Sequence, residues 1–173
     1  MESAMSARLL IPMTLVLVLA ACARDSEGEL RARLSNWFYL GETLYFHSKA
    51  RCTAAVYRLD ATMPRPSLTV HATTNRAKQA FSEKGLSAFQ IAGHSPNDLT
   101  DALLLKGRGT FGKQALAAAA QAVPCFEGTR AEAQLRDALT RPGGILAYDR
   151  GSDGLMVLDP EARRVFYVAG DVW

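Results

Sequence analysis

The feature that most restricts the fold is the placement of strand-forming runs toward both ends of residues 29–173, with capped helical segments between them. Near the start, Thr43–Phe46 and Thr53–Tyr57 are β-rich and flank the polar stretch His47–Arg51, which predicts a hairpin with Cys52 opening its second strand. Near the end, Ile145–Tyr148, Leu155–Leu158 and Val165–Ala169 are separated by Gly151-Ser152-Asp153-Gly154 and Asp159-Pro160-Glu161-Ala162, the composition of an antiparallel meander. Shorter β-prone pieces lie near Leu68–Val70 and over Leu86–Ala92.

The intervening helices carry explicit start and stop signals. Ser26-Glu27-Gly28-Glu29 has the form of a capping box, and Leu30, Leu34, Trp37 and Phe38 then fall on one helical face. Residues 74–84 are expected to be a helix ended by Gly85. Ser95-Pro96-Asn97-Asp98 combines an N-cap serine, proline at the first helical position and an acid at the capping-box position, opening a helix that Gly107 closes. Thr110–Val123 is alanine-rich and stops at Pro124, and Thr129-Arg130-Ala131-Glu132 opens a further helix that ends before Pro142-Gly143-Gly144. The expectation is an α+β fold. One antiparallel sheet, an N-terminal hairpin plus a C-terminal three-strand meander, is covered by about four to five helices. Hydrophobic residues make up 49% of the 173 and charged residues 21%, enough apolar matter for one domain over 29–173.

Ahead of that domain, Arg8 precedes the apolar run Leu9–Ala21, the charge-then-hydrocarbon order of a secretory signal over residues 1–21. Glu2 fits such a segment poorly, and a start at Met5 would leave Arg8 as its lone charge. The uncharged stretch 9–23 would span about 22 Å as a helix against about 30 Å of bilayer hydrocarbon, too short for a comfortable permanent crossing. It closes on Leu19-Ala20-Ala21-Cys22, which resembles the bacterial lipobox. The resemblance implies diacylglycerol on the Cys22 thiol, cleavage just before it and acylation of the new amine. Each part has a chemical reason: a thiol as acceptor, small residues to admit the peptidase, and an apolar segment to hold the bond at the membrane.

Residues 22–28 would then be an acylated cysteine and a polar tether, and the protein a lipid-anchored one. Ala23 stands where inner-membrane-retained lipoproteins resemble one another in having Asp, which implies the outer membrane, periplasmic face. Two alternatives remain open. Ordinary signal cleavage at Ala21-Cys22-Ala23 would release a soluble periplasmic protein, and an uncleaved segment would act as an anchor.

Setting Cys22 aside leaves Cys52 and Cys125, and in an oxidising compartment a disulfide between them is the expected pairing. A free buried pair and metal ligation are the alternatives, the latter without a C-x-x-C or a histidine at ligand spacing. Twenty basic and 17 acidic residues, interspersed, give a formal charge of +3 and no footprint for nucleic acid.

Other motifs have simpler readings. Gly107-Arg108-Gly109-Thr110-Phe111-Gly112-Lys113 satisfies G-x-G-x-x-G and most of a phosphate loop. Gln114, however, stands at the magnesium-binding Ser/Thr position, and a helix precedes the motif where a strand is required, so an interhelical turn is expected and no nucleotide. His47, His71 and His94 are scattered, and Ser95 is accounted for as a cap. Asp149, Asp153, Asp159 and Asp171 fall in the C-terminal turns, where Asp is common; calcium binding or paired-carboxylate hydrolysis is the sharper reading. No catalytic residue, cofactor or metal ligand is assigned.

Arg51–Tyr57 with the preceding Trp37–Phe46 stretch resembles uncharacterised small lipoproteins of Gram-negative bacteria, a likeness over roughly a third of the chain that implies no activity. The functional expectation is a periplasm-facing binding or envelope-assembly module with a membrane anchor and an envelope protein partner. The alternative is an envelope hydrolase assembled from distant segments, with the hairpin tip near His47 as the first place to look.

Overall fold

The computed structural model describes residues 23–105 and 110–171. Among them are five α-helices and a seven-stranded sheet. In chain order these are α1 (Glu27–Leu34), β1 (Leu40–Lys49), β2 (Cys52–Leu59), β3 (Val70–His71), α2 (Thr74–Lys84), β4 (Leu86–Phe89), α3 (Pro96–Leu105), α4 (Thr110–Ala122), α5 (Arg130–Thr140), β5 (Ile145–Asp149), β6 (Gly154–Asp159) and β7 (Arg164–Gly170). The sheet order is β1-β2-β7-β6-β5-β4-β3. Every neighbouring pair is antiparallel except β3 and β4, which run parallel through Val70 opposite Ala88 and His71 opposite Phe89.

The α+β class and the single sheet joining hairpin to meander are as expected. Two details of the layout differ. The short pieces at 70–71 and 86–89 extend the same sheet, and β3–α2–β4 forms a crossover unit, so one pairing is parallel. The hairpin also meets the meander through its last strand, Cys52 lying opposite Gly170.

Side chains on the central strands alternate between two cores. One core takes Ala54, Val56, Leu146, Tyr148, Leu155, Val157, Phe166 and Val168 and packs them against Phe81, Leu99, Leu103, Phe111, Ala115 and Ala118 of α2–α4 and Leu135 of α5. The other takes Ala55, Tyr57, Ile145, Ala147, Met156, Leu158, Val165 and Tyr167 and is closed by Leu30 and Leu34 of α1, with Phe38 and Leu68. The alanine-rich α4 follows from close approach to the sheet: a Cβ on Gly170 would stand 2.3 Å from the Cβ of Gln121. Gly112 reflects close approach of α4 to α3, since a Cβ there would meet that of Leu103 at 3.2 Å.

The expected caps are in place. Ser26, Thr129 and Ser95 accept from the backbone N–H groups of Glu29, Glu132 and Asp98, and Gly85 ends α2 at φ 70°. Helix α1 is shorter than its apolar spacing predicts. It stops at Leu34, and the chain turns so that the N–H groups of both Trp37 and Phe38 donate to the Leu34 carbonyl. Phe38 still reaches the core.

Candidate functional site

The polar segment expected to be a tether is instead seated on the domain. The Arg24 N–H donates to the Lys49 carbonyl at 2.8 Å, and the Asp25 N–H donates to Ser48 Oγ at 3.0 Å. Asp25 then spans two elements: one carboxylate oxygen pairs with Arg33 of α1 at 2.9 Å, and the other accepts from the buried Thr53 hydroxyl of β2 at 2.7 Å. Arg33 continues to the Tyr167 hydroxyl at 3.1 Å, and Arg24 reaches the Ser152 carbonyl at 2.8 Å and Asp171 at 3.4 Å. Composition suggested a solvated stretch because these side chains are charged. They are placed because each finds a partner of opposite sign or a hydroxyl on the sheet.

All of these contacts lie at one end of the sheet. The β1–β2 tip at Ala50–Arg51, the start of β6, the C-terminal end of β7 and the start of β4 meet there. Gly154 belongs to the same arrangement, because a Cβ on it would stand 2.4 Å from the Tyr167 ring. Cys52 and Cys125 are also here, at bonding distance with Sγ–Sγ 2.07 Å and Cα–Cα 5.9 Å, joining the first residue of β2 to the 3₁₀ turn that follows α4. Beside them the Lys49 ammonium donates to the Pro124 carbonyl at 2.6 Å.

A groove of about 510 Å³ opens along the β3 edge. The segment 67–72, which includes the two-residue β3, forms one wall and α2 forms the other. Leu68, Val70 and Leu86 supply apolar wall, while Arg76, Lys84, His71 and Glu83 supply charge and hydrogen-bonding capacity. Within α2, Gln79 donates to Glu83 at 2.9 Å. The volume is of the scale of small-molecule and short-peptide sites, and the cations outnumber the acid. Sequence reading missed it, since no motif marks a two-residue edge strand beside a helix. A smaller cleft of about 260 Å³ lies between β1 and α5, bordered by Tyr45, Thr129 and Arg164.

The remaining candidate residues do not converge. His47 is exposed within β1, opposite Ala54, not in the hairpin tip, whereas His71 lies on β3 at the far edge of the sheet and His94 is exposed ahead of α3. Ser95 is a cap: its N–H and hydroxyl both donate to the Asp98 carboxylate, at 2.8 and 2.7 Å. Those two bonds, the backbone one first, hold Asp98 below the usual carboxylate range.

The C-terminal aspartates are occupied as turn and ion-pair residues. Asp149 accepts from the Gly151 N–H and the Ser152 hydroxyl, and Asp159 accepts from the N–H groups of Glu161 and Ala162 while pairing with Arg141. Among the described residues no group of three His, Cys, Asp or Glu side chains is placed to hold a metal ion. Phe111 to Lys113 of the phosphate-loop-like motif lie within α4, while Gly107–Gly109 lie outside the described residues. Cys22, the two possible start methionines and the whole of residues 1–21 lie outside them too. No helix among the described residues is long and apolar enough to cross a membrane.

Comparison with protein-family models, with curated proteins and with solved structures returns no match.

Proposed function

We propose that this chain is a lipid-anchored protein of the bacterial envelope, exported by residues 1–21, acylated on Cys22 and facing the periplasm from the outer membrane, where it serves as a binding or assembly module. The observation that carries the reading is Leu19-Ala20-Ala21-Cys22 at the end of a basic-then-apolar leader, with one residue between Cys22 and Arg24, whose N–H is bonded to the Lys49 carbonyl. The Cys52–Cys125 pairing supports an oxidising compartment, because such bonds persist in the periplasm and are rare in the cytosol.

The groove along β3 is the proposed recognition surface. Its apolar wall and its Arg76 and Lys84 cations favour an extended segment carrying both hydrophobic and acidic groups. The reading has a direct test in the native host. Radiolabelled palmitate should enter the wild-type protein and not the Cys22→Ala variant, and wild-type protein that takes up no label ends the proposal. The recognition role is tested by cross-linking in cells from residue 79, on the groove wall. A partner captured by wild type and lost on Arg76→Glu supports it, and capture that is indifferent to this change removes the groove from the proposal.

A further inference from the structure

We infer that the bilayer holds this domain in one orientation, with the β1–β2 tip and the β5–β6 turn against the lipid headgroups. The inference rests on the acylation of Cys22 proposed above and adds to it the geometry of the first described residues. A single residue, Ala23, lies between Cys22 and Arg24, whose N–H is bonded to the Lys49 carbonyl at 2.8 Å. Two peptide units span at most about 7 Å between Cα atoms, and the headgroup layer on each side of the hydrocarbon is about 5–7 Å thick. An acylated Cys22 therefore leaves no slack by which the domain could swing clear. The next residue, Asp25, is fixed to both α1 and β2, so the leash cannot lengthen without breaking the Asp25 pairs with Arg33 and Thr53.

The chemistry of that end suits a phosphate surface. Its four aspartates are turned inward: Asp25 and Asp171 onto Arg33 and Arg24, Asp149 onto Ser152, and Asp153 toward the Tyr148 hydroxyl. The exposed charges on the two turns are Lys49, Arg51 and Arg150, with Arg150 braced on the Phe81 ring at 4.4 Å. Glu27 and Glu29, the exposed acids nearest the chain entry, are set in the first turn of α1, where they complement the helix dipole. Acyl chains and basic side chains next to one another form a two-part membrane attachment. The opposite end of the sheet, with Asp60 and residues 141–144, then points away from the lipid.

Lysine footprinting reads the orientation. The acylated protein is placed in vesicles of phosphatidylethanolamine and phosphatidylglycerol and treated with a water-soluble amine acetylating reagent. Labelling at Lys49 and at Lys78, which lies in the first half of α2 and so farther from the start of β4 than the end of that helix, is then followed by mass spectrometry. The same is done for a variant with a ten-residue Gly-Ser insertion between Cys22 and Ala23. Expected is several-fold slower labelling of Lys49 in the native chain than in the long-leash variant, with Lys78 equal in the two. Equal rates at Lys49 in the two proteins, whether both fast or both slow, overturn the inference. The intact mass of the same preparation separates the two levels: an unacylated mass brings down the anchor and the orientation together, whereas an acylated chain with equal Lys49 rates brings down the orientation alone.

Discussion

The two faces of the sheet are held by different physics. On the α2–α5 face, Phe81 stacks on Phe111 with centroids 4.9 Å apart and meets Tyr148 at 5.6 Å, and the Cys52–Cys125 bond closes one end of this layer. On the other face the helix is eight residues long and buries Leu30 and Leu34. The rest of its hold is polar: Arg31 lies over the Tyr57 ring at 5.8 Å, Arg33 over Tyr167 at 5.7 Å, and Arg33 also reaches Asp25. Apolar volume is indifferent to pH and salt and is costly to remove. A few charged pins cost less to remove, are sensitive to titration, and depend on residues just behind Cys22. The stable face is therefore the scaffold, and the pinned face is where the chain's entry is coupled to the fold.

Removing Phe81 should show the first half of that contrast at its largest. Phe81→Ala leaves a cavity under Tyr148 and Phe111 and should cost about 4 kcal/mol in denaturant unfolding; a loss under about 1 kcal/mol would mean the face is not packed as described. Opening the disulfide acts on the same layer through the unfolded chain. With a sequence separation of 73 between the cysteines, the loop-entropy model gives about 4 kcal/mol as an upper figure. Asp25→Ala tests the pinned face. It leaves Arg33 and the buried Thr53 hydroxyl without their shared acceptor, and about 2 kcal/mol of stability should go with it. Asp25→Asn should recover part of that loss, because an amide oxygen still accepts from Thr53. If both variants unfold like wild type, the coupling between entry segment and sheet is refuted.

How far the sequence foretold these two faces depends on which interactions are local. Caps at Ser26, Ser95 and Thr129 and the stop at Gly85 were legible because donor and acceptor sit within a few residues of each other. The spacing of Leu30, Leu34 and Phe38 foretold burial correctly but not the helix, since a turn after Leu34 delivers Phe38 to the same core. The parallel β3–β4 pairing rests on two residue pairs, too few to leave a pattern in the chain. The Asp25, Thr53, Arg33 and Tyr167 set joins the entry segment to three separate elements, and no spacing rule links residues that meet only after the sheet has formed. Arg24 and Asp25 look like a solvated tether for that reason. The groove was illegible on similar grounds, being the space between the segment of a two-residue edge strand and α2.

Alkaline pH should sharpen the comparison further. Burial pushes the Tyr57 hydroxyl up to about 12, with the Glu27 carboxylate adding to the shift, and burial likewise raises Tyr167 on the same face and Tyr148 on the other. A phenol whose folded value lies above its unfolded value of about 10 gives its full stability below pH 10 and loses it as pH rises toward the folded value. Each such tyrosine should contribute a fall of about 1.4 kcal/mol per pH unit above that point, read from denaturant midpoints between pH 9 and 11.5. Tyr57→Phe should reduce the slope by one tyrosine's share. It should not cost stability at neutral pH, because the Tyr57 hydroxyl is buried with no hydrogen-bond partner among the described residues. An unchanged alkaline slope in that variant would mean the ring is not sealed beneath α1.

The smallest effect belongs to a polar pin on the otherwise apolar face, and its pH dependence has the opposite sign. Ser95 begins α3 in a reciprocal cap with Asp98, and Ser95→Ala removes the hydroxyl from both ends of it. The cost should be about 1 kcal/mol at neutral pH, with α3 fraying first in amide hydrogen exchange. Asp98 is held low chiefly by the Ser95 N–H and next by the Ser95 hydroxyl, so loss of the hydroxyl should return its carboxyl titration, followed by NMR, part of the way to the ordinary range. A depressed carboxyl contributes stability that is present above its unfolded value and lost as pH falls through its folded value. The gap between wild type and Ser95→Ala should therefore narrow as the solution is acidified below about pH 4, where Asp98 begins to be protonated in the unfolded chain. A gap that stays constant down to pH 2 would show that the carboxylate takes no part in the cap and that the backbone of α3 is fixed by its packing on Leu99 and Leu103 alone.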